Sequence, residues 1–308
     1  MLKKISLTLI FFSLIFGGLF FFVKKNKPKP IVRPVSEMWG KSAKGMYPEL
    51  DKPSYLDTKE ANKFLTDDDE IILLSTKKGY LAYPNFILSF HHVANEVIDN
   101  VPVAVTYCCQ TDSAVVYQRK VDGQTLHLAA LGPLYYGNKV LYDRETDSYW
   151  LQLTGEAFFG KLAGKRLAFF APVDRTTWGR VKKLSRLTVL APVKEIKFYR
   201  EWYTNMKQGE TGFFALKKKK APDERLPAYT QGLGIKIDNQ AFFFPLSVIK
   251  EKGSIQKTVG NIPIKIVYDQ RLGSSKIYNS SPDKQVFPYT QVYWFAWSAF
   301  FPETEIVD

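Results

Sequence analysis

Asn100-Val101-Pro102-Val103-Ala104-Val105-Thr106-Tyr107 and, further along, Asn261-Ile262-Pro263-Ile264-Lys265-Ile266-Val267-Tyr268 are the two stretches that decide the architecture. Each is apolar, rich in β-branched residues and free of glycine, the composition of a buried strand. Asparagine, proline and tyrosine fall at matching places, 161 residues apart. Pro84 and Pro245 share that spacing, within Leu81-Ala82-Tyr83-Pro84 and Ala241-Phe242-Phe243-Phe244-Pro245-Leu246. A constant offset needs no gap. Two related strand-turn-strand-helix-strand units are therefore expected, packed about a pseudo-twofold axis.

Working outward, residues 71–75 read as a strand, Lys77-Lys78-Gly79 as a turn and residues 80–83 as the returning strand. Phe86, Phe90, Val93, Ala94 and Val97 recur at helical spacing behind Pro84-Asn85, so a helix capped by Asn85 is expected to run to about Asp99. Residues 101–107 form the strand that delivers Cys108. Residues 114–119 and 125–131 read as a hairpin around Val121-Asp122-Gly123, and residues 140–142 and 149–153 as another. Trp294 and Trp297 read as core, and Tyr135-Tyr136-Gly137-Asn138 as a turn. The expected fold is α+β, mainly antiparallel β with few helices, in two repeat-related β-rich halves (61–230 and the partial copy 231–308), plus one N-terminal transmembrane helix.

Residues 5–23 are apolar without a charge, about the length that spans a bilayer. Lys3 and Lys4 precede them, and no small-x-small cleavage site follows. Residues 1–24 therefore read as an uncleaved membrane anchor. Residues 25–60, with Pro28, Pro30, Pro34, Pro48 and Pro53, read as an extended stalk. The short basic head favours export of the domain, although the larger positive charge lies on the other flank. The formal charge is +13, and the seven cations of residues 1–33 account for more than half of it. The remaining +6 argues against nucleic acid as the main partner. The run Lys217 to Lys220 reads as a solvated loop, or less readily as a contact for anionic lipid.

All three histidines and both cysteines lie within residues 91–127. These side chains supply nucleophiles, proton carriers and soft metal ligands near neutral pH. Cys108 and Cys109 are adjacent, which is too close for an ordinary disulfide. On a strand they point to opposite faces, so one is expected buried and the other lining a cleft. His91 and Asn95 fall one turn apart on the expected helix. In the second unit His91, His92, Cys108 and Cys109 correspond to Lys252, Gly253, Asp269 and Gln270. The scaffold recurs and the reactive residues do not.

Gly79-Tyr80-Leu81-Ala82-Tyr83-Pro84, His91-His92-Val93-Ala94-Asn95-Glu96, Pro102-Val103-Ala104-Val105-Thr106-Tyr107-Cys108, Leu141-Tyr142-Asp143-Arg144-Glu145-Thr146, Trp150-Leu151-Gln152 and Phe295-Ala296-Trp297 together resemble the family catalogued as domain of unknown function 3179, from about Glu70 to the carboxyl terminus. The resemblance carries no settled biochemical activity. It implies a likeness to thiol oxidoreductases, because many members place two cysteines, or a cysteine and a selenocysteine, two residues apart after that Thr-Tyr. Here the second position is Thr111, and the extra cysteine stands directly beside the first.

Three readings follow. In the first, Cys108 is a single redox thiol assisted by His91, with Asn95 orienting the imidazole and Cys109, Thr111 and Asp112 completing the site. In the second, Cys108, His91 and His127 bind copper or zinc. In the third, the domain is a non-catalytic envelope module that binds a ligand or partner. A Cys-His hydrolase is a lesser variant, as no oxyanion donor can be assigned. No cofactor is readable, and the thiol or ligand partner is unknown. Trp150 and Gln152 are expected to line the cleft, and Asp143 to pair with Arg144.

Overall fold

The computed structural model describes residues 38–39, 44–208, 223–259, 262–280 and 287–308. Over these residues the chain is α+β, built mostly from antiparallel sheets with six helices. The expected anchor at 1–24 and the run Lys217 to Lys220 lie outside the described residues. Among those described, no helix is long and apolar enough to cross a membrane.

One sheet of the first half orders its strands Phe169–Ala171, Ser113–Gln118, Val101–Cys108, Val93–Ile98 and Leu50–Asp51. The other orders them Asp174–Thr177, Glu70–Thr76, Gly79–Pro84, Leu187–Leu190 and Tyr55–Leu56. Later in the chain, Gln231–Ile237 pairs with Gln240–Pro245 as Glu70–Thr76 pairs with Gly79–Pro84. Ser254–Val259, Ile262–Asp269 and Ser274–Asn279 form the counterpart of the thiol-bearing sheet. Registers agree at the 161-residue spacing: Val93 faces Thr106 and Ser254 faces Val267, while Cys108 faces Ser113 and Asp269 faces Ser274. The helices Asn85–His91 and Leu246–Lys252 both end at a residue with positive φ, His92 at 60° and Gly253 at 68°.

Each half closes with a strand running into a helix that begins with tryptophan, Trp178 or Trp294. Asp69 O accepts from Trp178 N, and Thr230 O accepts from Trp294 N. Trp178 and Trp294 are 116 residues apart, and the residues between Gln118 and Asp174 form several further strands. They supply most of a further sheet, Met38–Trp39, Leu128–Tyr135, Asn138–Asp143, Tyr149–Leu151 and Ala157–Phe159. Its Leu128, Ala130, Leu141 and Trp150 pack against Val93, Ala104, Val115 and Tyr117, and so cover one face of the thiol-bearing sheet.

Four local expectations are corrected. The helix behind Pro84 ends at His91, and residues 93–98 form a strand. His92 in the left-handed region breaks the helix, and Val93, Val97 and Ile98 suit a strand better. Asn85 is the first helical residue and Pro84 takes the cap position without a side-chain bond. The turn at Val121-Asp122-Gly123 joins only two short strands; Ser113–Gln118 pairs with Val101–Cys108 instead. From Lys44 onward the expected stalk belongs to the fold, with Tyr47 and Leu50 buried. The hairpin around Glu145-Thr146-Asp147-Ser148 forms as read, with Val140 opposite Leu151, and Trp294 and Trp297 are core.

Candidate functional site

Side chains alternate along Val101–Cys108. Val105 and Tyr107 pack into the main core, while Ala104, Thr106 and Cys108 face the inserted sheet. Ala104 joins its apolar cluster and Thr106 Oγ1 accepts from Gln152 Nε2 at 3.1 Å. Cys108 is fully buried and Cys109 partly exposed, which is the expected split in burial. Cys108 does not line an open cleft.

Lys139, on the inserted strand Asn138–Asp143, is only 2% exposed. Its Nζ stands 4.2 Å above the ring of Tyr47. Tyr47 in turn meets the ring of His92 edge-on, with centroids 4.6 Å apart. Lys139 has no carboxylate partner among the described residues. Burial pulls its pKa down, and the charges of Cys108 and then Cys109 act against that pull. Tyr47 is pushed up to about 12 by burial and then by Cys109. Cys109 is pushed up to about 12 by loss of water and then by Cys108. His92 Nδ1 lies 3.0 Å from Tyr107 O, so it must donate, and Nε2 carries the lone pair. That Nε2 is buried without a partner. Burial, then the charge of Lys139, holds His92 well below the ordinary histidine range, which leaves a neutral acceptor in the cluster.

The expected partners of Cys108 lie elsewhere. His91 donates from Nδ1 to Pro48 O at 2.6 Å, and its Nε2 accepts from Tyr199 Oη at 2.8 Å. Both nitrogens are spent on holding the helix Asn85–His91, and burial lowers the pKa. Asn95 sits on a strand rather than one helical turn from His91, and ties Asp51 and Leu128 O to the sheet at 2.9 and 2.8 Å. His127 is half-exposed and pairs with Glu145 at 2.6 Å. The alternative ligand set of His91, Cys108 and His127 is thus dispersed. Among the described residues no group of three or more His, Cys, Asp or Glu is placed to hold a metal.

Thr111 and Asp112 are structural anchors of the loop after Cys108. Thr111 Oγ1 meets Ser113 Oγ and Asn138 Nδ2, each at 2.9 Å, in a buried network that includes Gln152. Asp112, at φ 51°, pairs with Arg175 and accepts from Tyr107 Oη at 2.9 Å and from Gln231 Nε2 at 2.6 Å. Gln231 belongs to the second half, so this carboxylate clamps the halves together. Trp150 and Gln152 are fully buried and line no cleft. Asp143 accepts from Trp150 Nε1 at 2.9 Å, while Arg144 pairs with Glu49 and Asp51.

The chain belongs to the family described as a protein of unknown function (DUF3179). The match covers residues 44–304. No curated protein and no solved structure matches it. Within this DUF3179 domain, Lys139 and Tyr47, which sequence reasoning did not single out, are packed with His92 in this buried cluster. Lys139 follows a turn and reads as solvated. The 161-residue spacing did hold a signal for His92, because its counterpart is Gly253 and glycine marks a left-handed position.

Proposed function

We propose that this is a membrane-anchored envelope protein, held by residues 1–24 with its domain outside the cytoplasm, that carries a single-cysteine thiol redox site. Cys108 is the reactive group, and Lys139 and His92, packed on Tyr47, take the assisting place expected of His91. The observation that carries this reading is Lys139. An ammonium in a core, with no carboxylate partner among the described residues, needs another source of negative charge, and strand alternation turns Cys108 toward the same layer between the sheets that holds Lys139 over Tyr47. We read the two halves as copies of one unit, and the second copy then serves as a control. Asp269, at the place of Cys108, accepts from Arg271 N and Leu272 N at 2.9 and 3.1 Å and closes its own loop. Gly253, at the place of His92, adopts positive φ without steric cost. A histidine there costs roughly 1–2 kcal/mol. At both places the first copy keeps a chemically active residue where another serves the scaffold better.

Iodoacetamide on native protein tests the reading. Access to the buried sulfur requires local opening of the loop between Cys108 and Ser113. Cys108 should be alkylated under native conditions, unchanged in Cys109→Ser and at least tenfold slower in Lys139→Met. Modification of Cys108 only after global unfolding would refute it.

A second reading, a ligand-binding module, is favoured by one separate observation. An open cleft of about 360 Å³ lies between the halves, lined by Tyr117, Arg166, Phe169, Trp297 and Phe301 among others. Binding of the aromatic anion anilinonaphthalene sulfonate, abolished in Phe301→Ala, would support it; no binding would count against it.

A further inference from the structure

Resting on the thiol reading, we infer that Lys139 serves as the resolving group: once a hydroperoxide has oxidised Cys108, the Lys139 amine closes a reducible sulfur–nitrogen bond with it. A sulfenic acid needs a resolving nucleophile, or it is oxidised further. Cys109 is the only other thiol in the chain, and it packs against the main core rather than the cluster that holds Tyr47. Thr111 offers an alcohol already engaged by Ser113 and Asn138. Lys139 is on the face that Cys108 occupies, above Tyr47, and among the described residues it has no ion pair to break. Burial increases its share of free amine, and the unpartnered His92 Nε2 is an acceptor for the ammonium proton. The packed sheets also keep water from the oxidised sulfur.

The chemistry balances in two steps. The Cys108 sulfur attacks the distal peroxide oxygen, the O–O bond breaks, and Cys108–SOH and an alcohol (water, for hydrogen peroxide) form. Sulfur loses two electrons and the peroxide gains them. The Lys139 lone pair then attacks that sulfur, the S–N bond forms and the S–O bond breaks. Hydroxide departs with the amine proton as water. The product is Cys108–S–NH–Lys139, which a dithiol returns to thiol and amine.

The test treats the full-length chain in detergent with hydrogen peroxide, followed by digestion without reductant and mass spectrometry. The expected product is a peptide pair joined through Cys108 and Lys139, two hydrogen atoms lighter than the separate peptides and released by dithiothreitol. Cys109→Ser should retain it. Lys139→Arg, which keeps the charge, and Cys108→Ser should each reduce it at least tenfold. A dimedone adduct on wild-type Cys108 with no joined pair would overturn the amine step and leave the thiol reading standing. No oxidation of Cys108 at all would remove both. A disulfide as the main product would also overturn the inference.

Discussion

Replacing Lys139 with methionine should make the protein more stable and its thiol slower. Methionine has nearly the same length and flexibility but no charge. The wild-type ammonium is out of water with no carboxylate beside it. Exchanging buried charge for apolar volume is neutral or stabilising by about 1–4 kcal/mol. Each 1 kcal/mol moves the midpoint of a domain this size by about 2–4 °C, so a rise of several degrees is expected. The pH dependence has a defined sign. The folded pKa of Lys139 lies below its ordinary value of 10.5, so the unfolded chain takes the proton more readily and folding is penalised below that value. The penalty fades as the pH rises, and the gap between variant and wild type should narrow as the pH climbs toward 10.5. Circular-dichroism melts at several pH values, with iodoacetamide rates measured in parallel, give both readouts. A methionine variant that melts lower at neutral pH, with its alkylation rate unchanged, would show that Lys139 is a structural group and refute the reasoning.

Further outcomes follow from the same contacts. Asp112→Ala strands Arg175 and releases Gln231, and should cost about 3–5 kcal/mol in urea unfolding. His127→Ala breaks an exposed pair and should cost under about 1 kcal/mol. Folded His92 has a depressed pKa, so its contribution is intact above the unfolded value of about 6.5 and is lost as pH falls toward the folded value. His92→Asn, which tolerates the left-handed backbone, should flatten that acid limb in melts between about pH 7 and pH 5. Gly234→Ala would set a Cβ 2.3 Å from the Trp297 ring and should lower stability by about 1–3 kcal/mol in the same assay.

Much of the scaffold was legible because strand periodicity and turn residues agree locally. Asn100-Val101-Pro102 and Asn261-Ile262-Pro263 each marked the start of a strand, and Lys77-Lys78-Gly79 marked a turn. The helix boundary was not legible, since Val93, Ala94 and Val97 satisfy helical spacing by coincidence and only the left-handed His92 separates helix from strand. The cluster of histidines and cysteines put His91 beside Cys108 in the reading, and sequence could not show that both His91 ring nitrogens are engaged by Pro48 and Tyr199, each far away in the chain. Lys139 was out of reach, as its burial depends on Tyr47 and the thiol strand folding over it from separate parts of the chain.

A double-mutant cycle on unfolding free energy with Lys139→Met, Cys108→Ala and the pair tests the central claim most directly. If Lys139 and Cys108 act on each other in the core, the two changes will be non-additive, with a coupling energy of at least about 0.5 kcal/mol. Additivity within about 0.3 kcal/mol would mean that the lysine and the thiol are independent, and would contradict the account.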